Sequence, residues 1–147
     1  MTSTQAPQAL QDMMDAFNAG DLDRFRQYLD PNLTYTEPAT GSQAQSADAY
    51  LKLCEGWRRA FPDLHGTIER VVMDGDTVVE EITWDATHDG PLDTPGGTIP
   101  ATGRRISSKA VFWAVMGPQG AREVVHYLDL ATIMNQLGLL GTPASVK

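Results

Sequence analysis

Along the first stretch of the chain, apolar residues recur at Leu10, Met13, Met14 and Phe17. That spacing puts them on one face of a 3.6-residue period and predicts an amphipathic helix over residues 8–19. Asn18-Ala19-Gly20 ends it, and Asp21 stands where a cap is needed for a second short helix carrying Leu22, Phe25 and Leu29. Asp30-Pro31-Asn32 reads as a turn. Residues 33–37 alternate as a short strand that Pro38 closes, and residues 40–47 form a polar loop. A third helix is predicted over residues 47–60, with Ser46 as its cap. Its stripe is Tyr50, Leu51, Cys54, Trp57 and Phe61, broken by Pro62.

After Pro62 the period changes from 3.6 to 2. Residues 64–73 read as a strand, Asp74-Gly75 as a hairpin turn, and residues 77–88 as the returning strand. On that second strand Val78, Ile82, Trp84 and Ala86 share one face with Glu80 and His88, while the other face is mostly Thr, Glu and Asp. Residues 89–103 are rich in Gly and Pro and are expected to form a long loop, a pocket wall or a lid. Residues 105–116 make a strand with apolar residues on both faces from Ala110 onward, which predicts cover on both sides. One side would meet helices and the other a second subunit. Gly117-Pro118-Gln119-Gly120 turns the chain into Val124–Gly138, where two periods meet. Val124, His126 and Leu128 alternate as a strand. Leu130, Ile133, Met134 and Leu137 then follow helical spacing, with Asp129 as the cap between them and Gly138 as the C′ residue.

Helices gathered on one side of a curved antiparallel sheet make an α+β fold, here expected as a single domain over residues 1–147. A chain of 147 residues has room for a core, and 41% hydrophobic residues argue against disorder. The formal net charge of −8 argues against nucleic acid or an anionic membrane surface as partner. Cys54 has no second cysteine to pair with and reads as a small core residue of the third helix. The opening residues show neither a basic segment nor an apolar one of signal-peptide type, and no run is long enough to span a bilayer. The expectation is a soluble, cytoplasmic protein.

Several short motifs occur in order along the chain. They are Ala16-Phe17-Asn18-Ala19-Gly20, Asp30-Pro31-Asn32-Leu33, His88-Asp89-Gly90, Pro100-Ala101-Thr102-Gly103-Arg104, and Asp129 followed by Gln136-Leu137-Gly138. Together they resemble the SnoaL-like polyketide cyclases, or ester cyclases, of the NTF2-like (cystatin-like cone) superfamily. The resemblance implies a cone-shaped sheet with helices enclosing an apolar cavity. It also implies intramolecular aldol chemistry without metal or cofactor, a lyase- or isomerase-type acid/base reaction. In that family the acid/base is an aspartate on the last long strand, and its place here is held by His126. The family's other pocket positions, a histidine, a glutamine and an asparagine, fall on Phe112, Ala110 and Tyr35. The cone's shape is kept while its polar residues change, so the fold transfers more securely than the reaction.

The imidazole of His126 stands in an apolar row, where a polar group must be hydrogen-bonded or functional. Its ordinary pKa of about 6.5 suits proton abstraction near neutrality, against a purely structural alternative. Asp129 is first a helix cap; a bend at the strand end would let it orient His126 as a second catalytic residue. Trp57, Trp84 and Phe112 are candidate walls for a flat hydrophobic ligand, or ordinary core. Tyr35 is a candidate donor to a ligand oxygen. His88 is a candidate at the pocket mouth or a turn-stabilising residue, and Glu80 a possible partner within the cavity. His65, His88 and His126 are scattered without carboxylates at ligand spacing, no phosphate-binding glycine loop opens a helix, and no serine sits in a nucleophile elbow. The reading is therefore a cofactor-free cyclase acting on a hydrophobic, polyketide-like carbonyl or ester substrate, in a homodimer. The alternatives are a non-catalytic small-molecule-binding protein, or a related isomerase, hydratase or hydrolase.

Overall fold

The computed structural model describes residues 2–3, 7–94 and 96–140. In chain order the elements are β1 (Thr2–Ser3), α1 (Gln8–Asn18), α2 (Leu22–Arg26), β2 (Leu29–Glu37), β3 (Ser42–Ala44), α3 (Ala47–Ala60) and β4 (His65–Asp74). They continue with β5 (Thr77–Thr87), β6 (Leu92–Thr94), β7 (Gly97–Ile99), β8 (Arg105–Gly117), β9 (Gly120–Leu128) and α4 (Leu130–Gln136). Among the described residues the main sheet runs β1-β4-β5-β8-β9-β2-β3, and β6-β7 form a separate hairpin. Every pairing in the main sheet is antiparallel except β2 with β9. This is a mixed α+β fold with a curved, antiparallel-dominated sheet. No helix among the described residues is long and apolar enough to cross a membrane.

The helices start where their caps stand. Asp21, Ser46 and Asp129 accept from the backbone N–H groups of Arg24, Ala49 and Thr132, satisfying donors that a first turn leaves open. Gly138 follows α4 with φ +76, the left-handed conformation that a C′ glycine supplies. In α1 the residues Leu10, Met14 and Phe17 are buried, and in α3 Tyr50, Leu51 and Cys54 are. Those stripes lie over the inward face of the sheet, which β5 lines with Val78, Glu80, Ile82 and Ala86, β8 with Ala110 and Ala114, and β9 with Val124 and His126.

Four local expectations need correction. Leu29 is not on the second helix but opens β2, because α2 ends after Arg26. Asp30-Pro31-Asn32 lies within that strand as an irregularity: Leu29 pairs with Ala121, and pairing resumes only at Thr34 with Glu123. Pro31 has no N–H to donate to a ladder, so the strand detours around it. The loops at 40–47 and 89–103 contain short strands, β3 on the edge of β2 and the hairpin β6-β7. Finally, β9 starts at Gly120, four residues earlier than the alternation suggests. A register shift between Val115 and Met116 absorbs the mismatch with β8.

The outer face of β8 and β9 behaves differently from the inner one. Trp113 pairs laterally with Val79 and Val125, and Val111 pairs with Tyr127. Trp113 and Tyr127 remain 48% and 52% exposed. The inward side of β8 is covered by helices, and no described part of the chain covers the outward side.

The turn into β9 is sterically fixed. Gly120 has φ +113, and a Cβ there would stand 2.4 Å from the Tyr28 carbonyl oxygen, beside the bond from the Ala121 N–H to that oxygen. Gly75 also has a positive φ, but a Cβ there meets nothing within 4 Å. Gly75→Ala should therefore cost about 1–2 kcal/mol, the left-handed penalty alone. Gly120→Ala should cost clearly more, upward of about 2 kcal/mol. Urea denaturation of both variants beside the wild type checks the order.

Candidate functional site

The inward face closes over a cavity under α1 and α3, and its chemistry is set by strand register. Glu80 of β5 pairs with Phe112 of β8, and Phe112 pairs with His126 of β9. These three side chains stand in one row, because residues directly opposite in a sheet point to the same face. All three line the cavity, together with Tyr35, Trp57 and Trp84. The space open to the centre of a water molecule is about 90 Å³, several times what one water needs, about 10–15 Å³. Gly66 helps to make it: a Cβ there would lie 2.6 Å from the Trp84 ring and 2.7 Å from the Met14 sulfur.

His126 is held on three sides. Its ring stacks on Phe112, with centroids 4.3 Å apart at 29°. The Trp84 indole Nε1–H donates to His126 Nε2 at 3.3 Å. An indole only donates, so Nε2 carries the lone pair and the neutral ring has its proton on Nδ1. That Nδ1 lies 3.0 Å from Tyr35 Oη and 3.7 Å from Glu37 Oε2. The Tyr35 hydroxyl in turn donates to Glu37 Oε2 in a short hydrogen bond, and Thr40 Oγ1 donates to Glu37 Oε1 at 2.7 Å.

The electrostatics follow from these bonds. Burial pushes the Glu37 carboxyl up, but the nearby His126 ring and hydrogen bonds from Tyr35 and Thr40 outweigh it and hold the group below its ordinary value. Glu37 is thus an ionised carboxylate at 1% exposure, with a donor on each oxygen. Burial first, and the Glu37 charge second, push the Tyr35 phenol well above its ordinary value. Burial lifts the Cys54 thiol to about 12, so it is no nucleophile. Glu80 is the contrast. It is 8% exposed, and burial alone pushes its carboxyl up to about 7.

The structure gathers His126, Tyr35, Trp57, Trp84 and Phe112 on this one cavity and places Asp129 and His88 elsewhere. Asp129 is the cap of α4; its carboxylate accepts from the Thr132 backbone N–H at 3.1 Å and from Thr132 Oγ1 at 2.6 Å. Three residues from His126 is the wrong parity for sharing its face, and the carboxylate beside the imidazole is Glu37. His88 lies just past the end of β5, where its N–H bonds to the Arg104 carbonyl and its carbonyl accepts from the Gly103 N–H. The Thr102 N–H donates to its Nδ1 at 3.2 Å, and its ring packs 5.2 Å from that of Phe61. It holds the 88–104 turn and is not part of the cavity wall. Tyr35 lines the cavity, but its proton is committed to Glu37 and not to a ligand.

A family model for SnoaL-like polyketide cyclase matches residues 8–137. The chain belongs to that family. Solved structures agree in fold. AclR from Streptomyces galilaeus, a proposed hydroxylase, is 25% identical with a TM-score of 0.77, over 95% of this chain and 88% of its own. TsrD from Streptomyces laurentii is 25% identical with a TM-score of 0.76, over 92% and 99%. TerC, solved with polyporic acid, has the same fold at 13% identity and a TM-score of 0.69, over 89% and 96%. A search of curated proteins finds no match.

Glu37 is the site residue that the sequence pattern concealed. Its only signal was parity, two positions beyond Tyr35 on a short strand ending in proline. Because its folded-state value is depressed, Glu37 adds stability above the ordinary carboxyl range and loses it as pH falls through the folded value. Glu37→Gln should lower stability by about 1–3 kcal/mol at pH 7, and the gap to wild type should narrow in acid. Urea titrations at pH 7 and pH 4 measure both.

Proposed function

We propose that this chain is a cofactor-free enzyme of the cyclase type, with His126 as the base that removes a proton beside a carbonyl of a hydrophobic, polyketide-like substrate. The observation that carries this reading is the state of His126. It lines an apolar cavity with its proton fixed on Nδ1 toward Tyr35 and Glu37 and its lone pair on Nε2. Nε2 is therefore the nitrogen that takes a proton. Its bond from Trp84 at 3.3 Å is longer than the usual range, about 2.7–3.2 Å for N–H donors, so a substrate C–H can displace it.

When Nε2 is protonated, the Glu37 carboxylate 3.7 Å from Nδ1 stabilises the imidazolium without rearrangement. The enolate left on the substrate attacks a second carbonyl of the same molecule, and the imidazolium returns the proton to the new alkoxide. Trp57, Trp84 and Phe112 supply flat apolar walls that hold the two reacting ends together. The family assignment supports ring closure as the reaction class.

The Trp84 contact also favours a second reading, a binding protein in which the indole keeps Nε2 closed. The two differ in what His126→Ala does. On the catalytic reading, turnover of a panel of polyketide β-keto esters, followed by absorbance, falls by roughly 10²–10⁴-fold while ligand affinity stays near wild type. On the binding reading no ester is turned over, and the substitution alters affinity. Stability falls on either reading, because the ring's stack on Phe112 and its bonds to Trp84 and Tyr35 are lost.

We also propose a homodimer through the outer sheet face, where Trp113 and Tyr127 stand exposed beside Val79, Val111 and Val125. Trp113→Glu should turn a dimer into a monomer in sedimentation velocity at micromolar concentration. A wild type that sediments as a monomer there ends the proposal.

A further inference from the structure

Glu80 is out of place by every rule of core formation. It stands on the inward face of β5 between Val71 of β4 and Phe112 of β8. Val78 and Ile82 precede and follow it on that face, and both are buried. Leu10 and Met14 of α1 line the same cavity from above. No hydrogen bond or ion pair to its carboxyl is found among the described residues, and burial is the one cause of its raised pKa. A buried carboxyl without a partner costs stability that a leucine would not. Glu37, on the same face of the sheet, shows how this fold holds a carboxylate in its ionised form: a donor on each oxygen.

We propose that Glu80 is the second chemical group of the cavity, a carboxylic acid that gives its proton to the oxygen of a bound aromatic carbonyl compound while His126 works on the adjacent carbon. The row Glu80–Phe112–His126 puts the two groups two strand spacings apart, about 10 Å between Cα atoms, with both side chains rising from one face. A carbonyl bound across that row meets an acid on one side and a base on the other. The remaining titratable groups of the cavity are Tyr35, Tyr50 and Cys54, all pushed above their ordinary values, with burial the largest cause, so none competes as the acid.

The inference rests on the catalytic reading of His126, and the step balances. The C–H electron pair becomes the enol double bond as Nε2 takes the proton, and the carbonyl π pair takes the proton of Glu80. This leaves an imidazolium, a Glu80 carboxylate and a neutral enol. On ring closure Glu80 recovers the enol proton and the imidazolium protonates the new alkoxide, with no net proton released.

The test uses the full chain, Glu80→Gln and Glu80→Leu, with 2-acetonaphthone as an unreactive probe and the β-keto esters as substrates. Infrared spectroscopy at pH 6 should show the bound ketone's carbonyl stretch lowered in wild type and restored to an apolar-solvent position in Glu80→Leu. Affinity for the ketone should fall at least tenfold in that variant. Both variants should melt at or above the wild-type temperature at pH 8, where wild-type Glu80 is ionised in an apolar site. Where wild type turns over an ester and His126→Ala does not, both should lose at least a hundredfold in kcat. The proposal is overturned if the ketone does not bind wild type, or if its carbonyl frequency is the same in Glu80→Leu. Lower melting with turnover reduced only in proportion would assign Glu80 a structural role. Loss of activity in wild type itself would count against the cyclase reading and leave the carbonyl-frequency result to decide on Glu80.

Discussion

The parallel pairing of β2 with β9 is the contact on which the site depends. It sets Tyr35 beside Val124 and Thr36 beside Val125, and so carries Tyr35 and Glu37 to the flank of His126, ninety-one residues from Tyr35 in sequence. Without it the imidazole has no anchor on Nδ1, and Glu37 has no reason to be buried. The pairing is itself held at its entrance by the Ala121 N–H bond to the Tyr28 carbonyl, which needs the bare backbone of Gly120. A local steric demand at one turn thus positions a hydrogen-bond network at the other end of the strand.

Two glutamates on one inward face have been driven to opposite protonation behaviour by their surroundings. Glu37 receives hydrogen bonds from Tyr35 and Thr40 and lies close to His126, so its charge is solvated by protein groups and survives burial. Glu80 is set among Val71, Val78, Ile82 and Phe112 and receives none, so desolvation favours its neutral form. Residue type does not distinguish them. The donors do, and these come from β2, the turn after it and β9 in one case and are missing in the other.

The two faces of the central strands show the same division at larger scale. Inward positions of β5, β8 and β9 are mostly small or apolar where helices pack on them; the ionisable ones, Glu80 and His126, stand on the row that faces the cavity, and Ser108 bonds to the Asp129 carbonyl. Outward positions at the middle of β8 and the end of β9, Val111, Trp113, Val115, Val125 and Tyr127, are apolar without a cover from the described chain, Trp113 and Tyr127 most of all. Apolar area left in water at the middle of a sheet, with strands on either side, is the usual mark of a contact surface.

Much of this was readable from the chain itself, for a physical reason. Helix and strand periods depend on neighbours in sequence, so α1, α3, β4, β5, β8 and the cap at Asp129 followed from spacing and capping chemistry. Alternation with Val124 and Leu128 placed His126 in an apolar row of its strand. What sequence left open was long-range: which strand lies beside β9, which donors meet Glu37 once it is inside, and that the chain turns at His88 before its ring can face the cavity. Those outcomes depend on pairing between distant segments and on donors that only the assembled sheet supplies. Local pattern therefore put the imidazole in an apolar row, and tertiary structure alone decided that this row lines the cavity, which carboxylate stands beside the ring and which carboxyl stands alone.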